Sequence, residues 1–148
     1  MGLSLSTQKF IMIGILIIAH GNFGDALIHC ANHVTGGSPP HLAQLAVSAS
    51  DDPNVVLPKA KALIQELDQG GGVLILTDMY GATPSNVACR LLEPGKVEGV
   101  SGVNLPMLVR AITYRTQPLQ NVVGKAMSGG LEGVLHITME ACDVAKRS

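Results

Sequence analysis

The chain has 148 residues, 47% of them apolar and 14% charged, with a formal net charge of −1. That balance fits a single domain with a sizeable core and excludes a disordered chain or a coiled coil. With no long basic run, no Trp, two Phe and two Tyr, it also gives no reason to expect a nucleic acid partner.

Residues 1–10 read as an N-terminal extension and residues 11–148 as the domain. The apolar run from Phe10 to Ala19 is too short to span a bilayer. Lys9 before it and the small Ala19 at its end would suit a signal peptide. The run leads directly into functional sequence, however, so a buried strand over Ile11–Ala19 is the better reading, β-branched and continuous like a parallel strand covered on both faces. A helix follows over Asp25–Val34, ended by Gly36 and Gly37. His41–Ser48 alternates weakly and reads as a second strand. Ser50–Asn54 is a turn in which Asp51 and Asp52 precede Pro53, and a helix then runs to about Gln69, with Pro58 near its start or kinking it. Val73–Thr77 is a third buried strand. Thr83 is expected to cap a helix with Pro84 in its first turn. Val97–Val103 gives a fourth strand, Asn104 and Pro106 open a helix through Arg115, and Pro118 starts another that Gly129 and Gly130 should end. Val134–Met139 reads as a last strand.

Strands alternating with helices imply right-handed crossovers and a mostly parallel sheet in an α/β three-layer sandwich. In such a sheet a ligand site lies beyond the carboxyl ends of the strands, at the topological switch point. That rule selects His20–Gly24 and Asp78–Pro84. His20 closes the first strand and precedes Gly21, which lets another backbone approach; an imidazole there is suited to act as a nucleophile, because an unperturbed ring is largely neutral near pH 7. With strand order 2-1-3-4, Asp78 would stand beside it, where a carboxylate fixes the ring tautomer and leaves the other nitrogen free to attack. Thr83, Ser85 and the helix start between them could hold a phosphoryl group without a metal. Each of these residues also has a plainer reading as a loop residue, turn former or helix cap.

Other chemistry finds less support. GxxxxGK[ST] is absent, and AHGNFG stands where GxGxxG would be, so no nucleotide cofactor is expected. His29 and His33 are four apart on one helix, but without a matching Glu or a second pair they make a weak metal signal, and no metal is expected. His41 and His136 fall in predicted strands, and Arg90 and Arg110 on solvated helix faces. Cys30, Cys89 and Cys142 are scattered and odd in number, which reads as buried thiols in a reducing compartment.

The succession AHG, then LILTDMYGATPSNVA, then GVNLPML resembles the IIA component of mannose-type sugar phosphotransferase systems, over about Met12 to Glu140. The resemblance implies that His20 is phosphorylated at Nε2 by the phosphohistidine of the carrier HPr, with Asp78 hydrogen-bonded to Nδ1 and Thr83 contacting the phosphoryl group. It implies transfer onward to a IIB component, a cytoplasmic location, contact with the membrane only through a IIC/IID permease, and a homodimer that exchanges the fifth strand, here Val134–Met139. Tyr80 replaces a Trp common in sugar-transporting members, and GATP replaces GGSP. These departures leave room for a regulatory binding module that is switched by phosphorylation and has no transport role. A histidine phosphatase, which also places His-Gly after its first strand, needs an Arg where Ala19 stands.

Overall fold

The computed structural model describes residues 11–147, without the side chains of the last few. Four strands, β1 (Gly14–Ala19), β2 (Leu42–Ala46), β3 (Val73–Thr77) and β4 (Val97–Ser101), form one parallel sheet in the order β2-β1-β3-β4. Six helices accompany it among the described residues: α1 (Phe23–Thr35), α2 (Pro53–Leu67), α3 (Thr83–Cys89), α4 (Leu105–Thr113), α5 (Leu119–Glu132) and α6 (Met139–Arg147).

Both faces of the sheet are covered, which is why β1 and β3 read as unbroken apolar runs. The period of two sorts their side chains. Ile13, Ile15, Ile17, Leu74 and Leu76 join Ala31 of α1, Leu108 of α4 and Val122 of α5 in one core. Leu16, Ile18, Val73 and Ile75 join Val56 and Ala60 of α2 and Val87 of α3 in the other. The result is the expected three-layer α/β sandwich, with α1, α4 and α5 on one side and α2 and α3 on the other.

Local chemistry sets most boundaries. Asp52 caps α2, its Oδ1 accepting the Asn54 N–H at 2.9 Å, and Pro53 sits in the first turn. Pro58 lies inside α2 rather than at its start, on its sixth residue. Asn104 caps α4 by accepting the Met107 N–H at 2.9 Å, while its Nδ2 donates to the Gly130 carbonyl at 3.1 Å. α4 closes at Thr113, two residues short of the expected Arg115.

Four expectations need correction. Gly129 and Gly130 do not end α5, which continues to Glu132. They let α5 lie against α4: a Cβ on Gly129 would come within 2.9 Å of Arg110 Cβ, and one on Gly130 within 2.7 Å of Met107 Cε. Val134–Thr138 pairs with no strand, and α6 begins at Met139, so the fifth strand is not formed in this chain alone. A lone extended segment has no ladder partner to satisfy its backbone, and its apolar side chains stay exposed, Leu135 and Ile137 at 79% and 80%. His136 accordingly lies outside any strand, and His41 precedes β2 in a left-handed conformation, with φ 54°. The thiols are not buried either: Cys30 and Cys89 are exposed and Cys142 is partly so. The N-terminal extension lies outside the described residues.

Arg115 is the residue whose role was least visible in the sequence. It is 4% exposed. Its Nε and Nη2 donate to the Ile13 carbonyl at 3.1 and 2.9 Å, Nη1 to Pro40 at 2.6 Å and Nη2 to His41 at 2.7 Å. Burial pushes this guanidinium's pKa down, and the carbonyls at the entrance of β1 and β2 offset the desolvation by accepting its protons.

Candidate functional site

The first strand ends at Ala19, and the backbone turns immediately. Gly21 takes φ +50°, a conformation that side chains with a Cβ rarely adopt. The Phe23 N–H then returns to the His20 carbonyl at 3.1 Å as α1 begins. Gly24 brings α1 close to the sheet, since a Cβ there would meet Gln44 Cβ at 3.0 Å and Ile17 Cγ2 at 3.2 Å. His20 is thereby held on the outer rim of the sheet, its side chain 49% exposed.

β3 lies beside β1 in parallel register, with Ile18 opposite Thr77. His20, two positions after Ile18, and Asp78, one after Thr77, therefore meet at the carboxyl ends of two adjacent strands. Asp78 Oδ2 stands 2.7 Å from His20 Nδ1 and also accepts the His20 backbone N–H at 2.9 Å. Its Oδ1 accepts the Met79 N–H at 2.9 Å. Partial burial raises the pKa of this carboxyl. The two bonds from His20, the charge attraction of its ring and the Met79 N–H outweigh that effect, and the Asp78 pKa falls below the usual carboxylate value. An ionised Asp78 accepts but cannot donate, so in the neutral ring Nδ1 carries the proton and Nε2 holds the lone pair. No described side chain or backbone group hydrogen-bonds to Nε2.

The other predicted residues are placed as follows. Gly21 is exposed in the turn next to His20. Thr83 is half-buried as the first residue of α3. It is not the N-cap expected: Ala82, in extended conformation, takes that place because its carbonyl accepts the Asn86 N–H at 3.0 Å, and no side chain caps the helix. Ser85 is buried in α3 and lines a cavity of about 190 Å³ together with Thr77, Tyr80 and Cys89. Neither Thr83 nor Ser85 hydrogen-bonds to His20 or Asp78.

Two residues of the loop carry no site role in the sequence reading, where Tyr80 stands only as a departure from a Trp. Met79 and Tyr80 are 63% and 82% exposed, directly after Asp78. Their signal was the run of large apolar residues in a loop at a strand's carboxyl end, where burial is not available. Among the described residues no group of three His, Cys, Asp or Glu side chains is arranged to hold a metal ion. No helix among them is long and apolar enough to cross a membrane.

The sequence model of the EIIA-man family, described as the PTS system fructose IIA component, matches residues 14–127, which contain both strand ends and both site residues. The chain belongs to this family. The mannose-specific EIIAB component of the phosphotransferase system of Escherichia coli K12 is 30% identical over 125 residues, covering 82% of this chain and 38% of that protein. The chain thus spans well under half the length of that relative. The fructose-specific EIIA component of Bacillus subtilis is 24% identical over 132 residues, covering 88% of this chain and 87% of that protein. Among solved structures, the EIIA component from Streptococcus agalactiae superposes with a TM-score of 0.74 at 29% identity, covering 84% of this chain and 97% of that one. The mannose/sorbose-specific IIA subunit of Enterococcus faecalis, at 21% identity and a TM-score of 0.76 over 87% of this chain and 97% of that one, shares the fold.

The Asp78 contact has a consequence for stability against pH. A carboxyl whose folded pKa lies below its unfolded one stabilises the fold above the unfolded value, about 3.9, and that contribution is lost as pH falls through the folded value. Wild type should therefore be more stable than Asp78→Asn at about pH 6, roughly two units above that reference value. The margin should shrink on acidification below about pH 4. Urea denaturation of both proteins across that range measures it; a margin that grows in acid contradicts the assigned direction.

Proposed function

We propose that this chain is a phosphocarrier of a sugar phosphotransferase system, accepting a phosphoryl group on His20 from phospho-HPr and passing it to a IIB component in sugar uptake. The observation that carries the reading is the 2.7 Å contact of His20 Nδ1 with Asp78, which leaves Nε2 without a hydrogen-bond partner on a half-exposed ring.

In the transfer, the Nε2 lone pair of His20 attacks the phosphorus held on the donor histidine. A new P–N bond forms in line with the one that breaks, and the departing donor imidazole keeps the electron pair of its former bond. The attacking His20 ring becomes cationic while the proton on Nδ1 stays in its hydrogen bond to Asp78, whose negative charge stabilises that cation. Onward transfer reverses these roles with the IIB acceptor. Thr83, by its hydroxyl, and the uncapped first turn of α3 serve the phosphoryl oxygens, with Ser85 behind them in the same turn. Gly21 keeps the turn narrow enough for a donor to approach. No cofactor takes part. Met79 and Tyr80 supply exposed apolar surface for docking the protein partners.

The protein works in the cytoplasm and meets the membrane only through a IIC/IID permease. It acts as a homodimer in which Val134–Met139 of each copy adds a strand to the open edge of β4 in the other; Leu135, Ile137 and Met139, two apart, form the apolar side of that strand. Sedimentation should give a dimer that Ile137→Asp converts to a monomer; a wild-type monomer at micromolar concentration removes the exchange.

The relay itself is tested with phosphoenolpyruvate, enzyme I and HPr. The wild-type chain should gain one phosphoryl group in its intact mass, and His20→Ala none. Asp78→Asn should still label, at a rate lower by roughly 10²-fold, the scale of losing a positioned proton partner. Labelling of His20→Ala at the wild-type rate overturns the assignment, and an unchanged rate in Asp78→Asn removes its role.

A further inference from the structure

His29 and His33 take no part in the site at the sheet's edge, and their arrangement is not that of two unrelated surface residues. Both are exposed on α1, one turn apart. Their ring centroids lie 4.9 Å apart with the planes at 82°. Residues four apart in a helix are neighbours on its surface, so the pair is fixed by the backbone rather than by chance side-chain placement.

We propose that His29 and His33 form a two-imidazole chelate for a borderline divalent transition ion of the zinc or nickel class. Imidazole nitrogens bind such ions at about 2.0–2.1 Å, and two of them on adjacent coordination positions stand roughly 3 Å apart. Rings whose centroids are 4.9 Å apart reach that spacing by side-chain rotation alone. Hard ions such as magnesium and calcium prefer oxygen donors and are not favoured here.

Two further features suit a cation. The pair borders an open hollow of about 550 Å³ that also includes Asn32, Gly36, Gly37 and Ser38, and none of these carries a positive charge. Finally, His33 lies in the last turn of α1, where the partial negative charge of a helix C-terminus favours a cation. Because no third His, Cys, Asp or Glu among the described residues converges on the pair, water completes the coordination sphere. The ion then acts as a clamp across one turn of α1, the helix that begins three residues after His20.

The test is titration of the full-length, untagged chain with nickel ion, followed by calorimetry and by paramagnetic broadening of backbone amide signals. One ion should bind per chain, with broadening centred on residues 29–33. His29→Ala and His33→Ala should each weaken binding by about tenfold or more, because one imidazole alone cannot chelate. The double variant should show no broadening on α1. Both positions are exposed on a helix, and alanine favours helix, so these variants fold. Equal binding by the double variant, dependence on only one of the two histidines, broadening centred elsewhere, or no binding up to about millimolar nickel each overturns the proposal. Labelling of His20 is expected to be unchanged in all three variants, so failure of the metal site leaves the phosphocarrier reading standing, and the reverse also holds.

Discussion

The pairing of His20 with Asp78 is the constraint on which the rest of the site depends. It is a product of sheet order. β1 and β3 are not consecutive in the chain, yet they are neighbours in the sheet, and their parallel register ends both strands at the same rim. One carboxylate then holds the ring at Nδ1 and the backbone at the His20 N–H. Position and tautomer of the imidazole are both set by that contact, so the side chain needs no further anchor and remains half exposed to a partner.

Much of this was legible in the residues. Continuous apolar runs marked β1 and β3, and strand-helix alternation gave the layers. The rule that parallel sheets bind ligands beyond their carboxyl ends picked out both loops before any resemblance was considered. The strand order that joins His20 to Asp78 came as a supposition, because register and neighbour order are long-range properties that a local pattern does not encode. The motif resemblance supplied the roles, down to the choice of ring nitrogen.

What was misread has physical causes. Gly129 and Gly130 look like a helix end, but glycine also serves where two helices pack too closely for a Cβ, and only the position of α4 distinguishes the two uses. Arg115 reads from the sequence only as the end of a helix; its burial follows from three carbonyls at the entrance of β1 and β2 that no neighbouring sequence announces. Val134–Met139 has the alternation of a strand, but Val134–Thr138 pairs with no strand in this chain, and pairing is a long-range property that local alternation does not encode. The cysteines were assigned by composition alone, and composition does not say which face of a helix a residue takes.

The central claim is that Asp78 occupies Nδ1 and so directs phosphorylation to Nε2. Chemical shifts and phosphorus couplings of the two ring nitrogens, measured by NMR on ¹⁵N-labelled protein phosphorylated through HPr, report the bonded nitrogen directly. A phosphoryl group on Nε2 of His20 is expected, with the Nδ1 proton still present in its hydrogen bond. A phosphoryl group on Nδ1, or on any histidine other than His20, would contradict it.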